Sequence, residues 1–215
     1  MNVQTIKIRG ELLELNSDKT IFWRKREVLF ISDLHFGKAT HFRKAGIQLP
    51  SQAIQKQMDQ LAKTLESYNP KSVYFLGDLF HSRHNSEWEL FCDLLNEFPD
   101  IDFNLIAGNH DILSYWDYDR ANLKVYKETL NITPFLLSHH PIENYDGEDY
   151  LICGHVHPGV RMKGKGLQSI KLPCFYFHEN HSIMPAYGQL TGLYMLRPKK
   201  NDQVYVIAND KVLRV

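Results

Sequence analysis

Short apolar runs that lead directly into polar residues are the dominant pattern of the chain. The clearest is 73–76, Val-Tyr-Phe-Leu, which is followed by Gly77 and Asp78. A run of this length and β-propensity before a Gly-Asp pair predicts a buried strand with the carboxylate at its carboxyl end. The same design recurs in four other runs, at 28–32, 103–107, 135–137 and 151–153.

Two segments between these strands have the spacing of amphipathic helices. The first has apolar residues at intervals of four, three and four, with Ser51 as a candidate N-cap: Ile54, Met58, Leu61 and Leu65. The second begins at Ser86 and Glu89, which have capping-box spacing, and ends before Pro99. The alternation of strands and helices predicts a parallel sheet with a crevice at its carboxyl edge.

Both ends of the chain carry short, partly alternating runs that are typical of antiparallel strands. They lie at 3–8, 12–15 and 21–23, and again at 174–177, 183–187, 192–196, 204–208 and 212–215. We expect these strand-rich ends to pack together as a second sheet. Because 215 residues suit one sizeable core, we predict a single α/β domain, 1–215, with two facing sheets and helices on the outer faces.

Composition narrows the class of protein. Basic and acidic residues balance at 25 each, so the protein lacks the net positive charge that is typical of a strongly basic nucleic-acid binder. Any contact with DNA must therefore come from a local group of basic residues. The three cysteines lack CxxC spacing, which argues against a disulfide framework and favours a reducing cytoplasm. We expect neither a signal peptide nor a membrane span, because no apolar run is long enough.

Oxygen and imidazole donors gather at the predicted strand ends. They are Asp33, His35, Asp78, Asn109, His139, His155 and His157, with His140 as an alternative to His139. This donor set suits Mn²⁺, Fe²⁺ or Zn²⁺. Seven donors exceed what one ion needs, so we expect two ions that share a carboxylate, and such pairs promote phosphoryl displacement. Asp78 is the predicted bridge.

These residues stand in five motifs, DLH, GDLF, GNHD, SHHP and GHVH, between roughly 28 and 160. In this order the motifs resemble the calcineurin-like metallophosphoesterase superfamily. The resemblance implies a four-layer αββα sandwich. It assigns Asp33, His35 and His157 to one metal, Asp78 to the bridge, and the remaining ligands to the other metal: Asn109, His139 and His155.

The same resemblance implies a mechanism. A hydroxide held by the two ions would attack phosphorus in line, and His110 would protonate the leaving alkoxide or stabilise the phosphate. Asp111 would orient His110 and raise the pKa of its imidazole. The chain departs from the general pattern at His81, where many members have Asp, and this leaves the surroundings of the metals open.

Three longer segments carry a narrower resemblance: DLHFGKATHFRKAGIQLP, GDLFHS and LPCFYFHENHSIMPAYGQLTG. They are similar to the bacterial ligase-associated DNA-damage-response endonucleases. This similarity implies metal-dependent hydrolysis of DNA phosphodiesters. We expect Mn²⁺ as the metal, with Fe or Zn as alternatives. It also implies a repair setting in which a DNA ligase or repair nucleases are partners.

Several interpretations remain open from the sequence alone. Lys38 and Arg43 could hold a DNA phosphate or belong to a solvated basic face. The basic run 161–171 favours a solvated loop, and the aromatic run 175–177 favours core packing over base stacking. Rival functions are a phosphoesterase for small nucleotides or other phosphoesters, and a non-enzymatic scaffold. A complete ligand set beside His110 argues against the scaffold.

Overall fold

The computed structural model describes residues 3–38, 52–81, 84–164, 168–189 and 191–215. Its first sheet has seven strands in sequence order: β1 (Gln4–Ile8), β2 (Glu11–Leu15), β3 (Ile21–Trp23), β4 (Val28–Ile31), β5 (Ser72–Phe75), β6 (Asp102–Ile106) and β7 (Leu123–Tyr126). Neighbours from β1 to β4 are antiparallel. Neighbours from β4 to β7 are parallel, as the alternation of strands and helices predicts.

The second sheet is mixed and contains the remaining nine strands of the described residues. They are β8 (Thr129–Ile132), β9 (Phe135–Ser138), β10 (Tyr150–Cys153), β11 (Pro158–Lys163), β12 (Ser169–Phe177), β13 (His181–Ile183), β14 (Tyr194–Met195), β15 (Gln203–Ala208) and β16 (Lys211–Arg214). The main path runs β14-β11-β12-β13-β10-β9-β8, and β15 joins β12 to β16. Strands β9, β10 and β13 are parallel, so their carboxyl ends share one edge.

The expectation that the two ends of the chain share a sheet is wrong. The three amino-terminal strands extend the first sheet, because β3 pairs antiparallel with β4 in the register Ile21↔Phe30. The carboxyl-terminal strands lie in the second sheet. The two groups still meet face to face, since Ile6 and Leu13 share the core between the sheets with Tyr205 and Ile207.

The described residues contain three stretches of α-helix of 6 residues or more, α1 (Gln52–Tyr68), α2 (Ser86–Asn96) and α3 (Tyr115–Arg120), and a 3₁₀ turn at Arg24–Arg26. The predicted cap Ser51 lies outside the described residues. The second cap is Asn85 rather than Ser86, because Asn85 has extended backbone and its side chain accepts from the amides of Glu87 and Trp88. No described helix is both long and apolar enough to cross a membrane.

Side-chain alternation along the central strands builds the layers. Leu29 and Ile31 of β4 face the helices, whereas Val28 and Phe30 face the second sheet. A third cluster, which includes Cys174, covers the outer face of the second sheet. The two facing sheets agree with the prediction. Helices flank the sheets, and residues of the described helices pack on the first sheet, as in the predicted fold class.

Candidate metal centre

All seven predicted ligands lie at one rim of the molecule. In the first sheet they follow the parallel strands β4, β5 and β6, and in the second they follow β9 and β10. Carboxyl ends of parallel strands meet at the same edge, which is where open α/β sheets bind ligands. The facing arrangement of the two sheets therefore brings the two groups of donors together.

Strained backbone holds five of these seven residues in place. Non-glycine residues rarely adopt positive φ, yet φ is +53° at Asp33, +52° at His35, +48° at Asp78, +68° at His155 and +52° at His157. Amides of the first motif bind carbonyls of the second, with 3.2 Å from Asp33 N to Gly77 O and 2.9 Å from His35 N to Asp78 O. Strain of this kind persists where the surrounding structure fixes the backbone, and it concentrates at functional sites.

Two glycines allow the donors to approach one another. Gly77 has a φ of +77°, and a Cβ on it would lie 2.1 Å from Nδ1 of His139. A Cβ on Gly108 would lie 2.4 Å from Oδ1 of Asp78. Both distances are far below van der Waals contact, so the glycines of the GDLF and GNHD motifs are steric requirements of the site.

Asp33, His35 and His157 form the first group of donors. The Nε2 atom of His157 lies 3.2 Å from Nε2 of His35 and 3.2 Å from Oδ1 of Asp33. The other carboxylate oxygen of Asp33 accepts from the Ser32 hydroxyl at 2.5 Å and from the His155 amide at 3.0 Å. These two hydrogen bonds fix the carboxylate, so Oδ1 remains directed at the histidines.

His139 is the centre of the second group. Its Nδ1 lies 2.8 Å from the carbonyl of Leu76, which can only accept, so Nδ1 carries a proton and donates it. In the neutral ring, Nε2 then presents a lone pair. That atom lies 3.3 Å from Oδ1 of Asn109 and 3.2 Å from Nδ1 of His155.

Asp78 lies between the two groups. Its Oδ1 is 3.4 Å from Nε2 of His139, and its Oδ2 is 3.8 Å from Nε2 of His35. The amide of His110 donates to Oδ1 at 3.0 Å, which orients the carboxylate. Each oxygen therefore faces a different group, as a carboxylate shared by two ions requires.

The chemistry of these donors fits a pair of cations. The bare Nε2 of His139 faces acceptor oxygens of Asp78 and Asn109, an arrangement that repels unless a positive charge lies between them. Burial lowers the pKa of His35 to about 3. Burial alone would raise the pKa of Asp33, but the hydrogen bond and charge of His157, with the charge of His139, hold it below its ordinary range. Neutral imidazole and ionised carboxylate are the forms that bind metal.

His110 stands at the edge of the site. Its side chain is 40% exposed, and its Nε2 lies 3.9 Å from Oδ2 of Asp78. The ring of His81 packs on it with 3.9 Å between centroids. His110 can therefore reach both solvent and a substrate held beside Asp78.

The carboxylate of Asp111 binds backbone amides rather than the imidazole of His110, which corrects the prediction. The carboxylate accepts from the backbone amides of Leu79 at 2.9 Å, Phe80 at 3.2 Å and Gly108 at 2.8 Å. Burial raises the pKa of Asp111 to about 7, against the lowering effect of these amides. Asp111 thus ties the GDLF loop to the GNHD loop, and it acts on His110 only through the backbone.

Of the two predicted substrate-binding residues, the structure describes Lys38. The amide of Lys38 donates to the carbonyl of His35 at 3.3 Å. Burial lowers the pKa of Lys38, and the carboxylates of Asp78 and Asp33 oppose that shift. Lys38 therefore lies close enough to the carboxylates of the centre to interact with them electrostatically. Arg43 lies outside the described residues.

Three residues near the centre were undecided or missed. His140 is exposed, yet its ring centroid is 4.2 Å from that of His155, and its nitrogen can share a cation with His139 and His155. His81 packs on His110, which no local pattern indicates. The role of Ser32 in orienting Asp33 could have been suspected only from its place beside the DLH motif.

Two further histidines, His178 and His181, lie away from the centre. The rings of His178 and His181 stack on each other at 5.0 Å, and His181 pairs with Leu151 near the amino end of β10. Phe175 and Phe177 are buried, so the core interpretation of the aromatic run 175–177 is confirmed.

Comparison with known proteins gives two kinds of match. Residues 26–145 match the model of the family described as calcineurin-like phosphoesterase. The crystal structure of the nuclease MPE from Pseudomonas putida is 28% identical, covers 100% of both chains and has a TM-score of 0.84. The protein AQ665 from Aquifex aeolicus is 21% identical over 65% of this chain and 82% of its own, and its TM-score of 0.43 carries no argument. No curated protein sequence gives a significant match.

Proposed function

The chain belongs to the calcineurin-like phosphoesterase family and is a metal-dependent phosphoesterase, and we propose that it is an endonuclease that hydrolyses DNA phosphodiester bonds in repair. The observation that carries this proposal is the likeness to a nuclease over the full length of both chains. The repair setting, and a DNA ligase or repair nuclease as partner, rest on the resemblance of the motifs. Its three cysteines are all free and buried, which accords with the cytoplasm as its location.

Each group of donors would hold one divalent ion. Asp33, His35 and His157 would hold the first ion, and the second would be held by Asn109, His139 and His155. Asp78 would contact both, because its two oxygens face different groups. We propose Mn²⁺ as the ion, with Fe²⁺ or Zn²⁺ as alternatives that the same nitrogen and oxygen donors accept.

The surrounding residues prepare these donors for the reaction. When bound, two ions neutralise the phosphate oxygens and lower the pKa of water at the site. The Ser32 hydroxyl and the His155 amide hold Asp33, and the Leu76 carbonyl fixes the tautomer of His139. Because these partners fix the donors before substrate binds, little reorganisation is needed during the reaction.

His110 is the proposed general acid. Its Nε2 lies 3.9 Å from the shared carboxylate, and its partly exposed ring can reach a leaving oxygen. A proton donated from Nε2 would neutralise the alkoxide that forms when the phosphorus–oxygen bond breaks. Lys38 adds a positive charge near the carboxylates and would help to position the phosphate.

The test is cleavage of closed circular DNA by metal-stripped protein. Single- and double-stranded circles and a bis-aryl phosphodiester are incubated with and without Mn²⁺. The enzymes are wild type, His110→Ala, and His178→Ala as a control histidine outside the centre. We expect nicking that requires Mn²⁺, is lost in His110→Ala and persists in His178→Ala. Hydrolysis of the small diester without cleavage of either circle would contradict the DNA proposal and leave a phosphodiesterase for small nucleotides.

A further inference from the structure

The β11 and β12 strands form a two-stranded ribbon that begins directly after His157. Five residue pairs join them, from Gly159↔Pro173 to Lys163↔Ser169. Arg161 lies directly opposite Lys171 in this register. The basic run that the sequence assigned to a solvated loop is therefore, in its described part, an ordered ladder attached to a metal-binding motif.

Three cations share one face of the ribbon. Alternate residues of a strand point to opposite sides, so Arg161 and Lys163 lie on one side of β11 while Val160 and Met162 lie on the other. The register places Lys171 on the same side as Arg161. The side chains of all three cations are exposed. We call this set, Arg161, Lys163 and Lys171, the cationic face.

The cationic face is continuous with the inner side of the second sheet. Lys171 and Phe175 are four residues apart on β12 and so project from the same side of it. Phe175 packs in the core between the two sheets, whereas Cys174 belongs to the outer cluster. The cationic face therefore overhangs the side on which the first sheet and its metal-binding loops lie.

Ion pairs among the described residues do not neutralise the positive charges of the cationic face. Like charges directly opposite each other destabilise a β-ladder. None of the ion pairs formed among the described residues includes Arg161, Lys163 or Lys171. In a chain of zero net charge, this local excess of positive charge is suited to an anionic polymer.

We propose that the cationic face binds backbone phosphates of the DNA strand to one side of the bond that is cleaved. The inference rests on the proposed function and adds the substrate-binding surface to it. Arg161 is four residues beyond His157, or about 13 Å in an extended strand. A phosphate at that distance belongs to a nucleotide several positions from the reacting one. The ribbon therefore contacts DNA but not a small diester.

The test compares two triple variants that remove the same charge. The first is Arg161→Gln, Lys163→Gln and Lys171→Gln. The control is Lys7→Gln, Lys63→Gln and Lys211→Gln, three exposed lysines outside the ribbon. For each protein, kcat/KM is measured on a long DNA strand and on bis-p-nitrophenyl phosphate with Mn²⁺. DNA affinity is measured by fluorescence anisotropy across a range of salt concentrations.

We expect the ribbon variant to lose about tenfold or more in kcat/KM on DNA while it hydrolyses the small diester at the wild-type rate. The slope of log affinity against log salt should fall by about 0.7–0.9 for each phosphate that the variant no longer binds. The control should match wild type in both measurements. A ribbon variant with wild-type kcat/KM and salt slope would overturn the inference while leaving the nuclease function intact. A wild-type protein that hydrolyses the diester but not DNA would instead overturn the proposed function, and the anisotropy would still report on the ribbon.

Discussion

The Nε2 atom of His139 lies 3.4 Å from Oδ1 of Asp78. When the histidine is neutral and its Nδ1 donates to Leu76, both of these atoms are hydrogen-bond acceptors. Both side chains are almost fully buried, so water cannot relieve the repulsion. Unpaired acceptors in a buried site cost free energy. A cation between them would turn this repulsion into attraction, which explains why the fold brings the two side chains together.

Removal of divalent ions should therefore destabilise the protein. A site filled at about 100 times its Kd adds about 2.7 kcal/mol to the free energy of unfolding. For a chain of this size that corresponds to a rise in Tm of roughly 5–10 °C. Differential scanning calorimetry of the chelator-treated protein, with and without Mn²⁺, measures the shift. An identical Tm in the two samples would be incompatible with a metal centre at Asp78.

Replacement of the shared carboxylate should remove both metals. In Asp78→Asn each group of donors loses its link to the other, so metal content and activity should both fall to background. The control is Asp102→Asn, because Asp102 is exposed and forms an ion pair with Lys124 at the surface. Metal content is measured by inductively coupled plasma mass spectrometry after gel filtration. Retention of two ions per chain by Asp78→Asn would exclude the bridging role.

Replacement of the two adjacent histidines of the SHHP motif should have different effects on metal binding. His139 is fully buried and its tautomer is fixed by Leu76, whereas His140 is exposed. We expect His139→Gln to bind one ion fewer per chain and to lose at least about 100-fold in activity, the upper range for loss of an outer metal partner. His140→Gln should retain both ions. The opposite result in titration calorimetry would assign the ligand to His140.

The sequence predicted the strand ends well because that signal is local. A short apolar run before Gly77 and Asp78 specifies both the strand and the place of the carboxylate, and the facing donor His139 has the same kind of signal. The partner of Asp111 could not be predicted, because its carboxylate reaches amides at the end of a different strand. The choice of sheet for the amino-terminal strands was missed for the same reason, since strand pairing is decided by tertiary packing.

The cationic ribbon shows a different limit. Alternation from Val160 to Lys163 is compatible with a strand, but the glycines around it favoured a loop. Only the observed register shows that Arg161 and Lys171 lie opposite each other. Single-sequence patterns do not contain that pairing.

A methyl group at Gly108 should weaken metal binding. Its Cβ would lie 2.4 Å from Oδ1 and 2.5 Å from the amide nitrogen of Asp78, so the shared carboxylate must move. We expect Gly108→Ala to bind Mn²⁺ at least about tenfold more weakly, on the scale of lost outer partners of a metal site. Gly192→Ala is the matched control, because among the described residues no heavy atom beyond the chain neighbours lies within 4 Å of the Cβ position at Gly192. Equal Mn²⁺ affinities for the two variants would contradict the steric role.

Asp18 should make stability depend on pH. Burial raises the pKa of this carboxyl, against hydrogen bonds from Thr20 and Thr64. A raised pKa in the folded state favours the protonated form, so the contribution to stability is present at low pH and is lost as pH rises through the ordinary Asp range and the folded pKa. Asp18→Asn should have a higher Tm than wild type at pH 8, and the difference should shrink at pH 4. A constant difference across this range would contradict the assignment.

The most direct test of the two-metal account is a crystal of the metal-stripped protein soaked in Mn²⁺, with anomalous diffraction recorded near the manganese edge. The account predicts two anomalous peaks about 3.5–4 Å apart on either side of the Asp78 carboxylate. One peak should lie among Asp33, His35 and His157, and the other among Asn109, His139 and His155. A single peak, or a pair that does not flank Asp78, would contradict it.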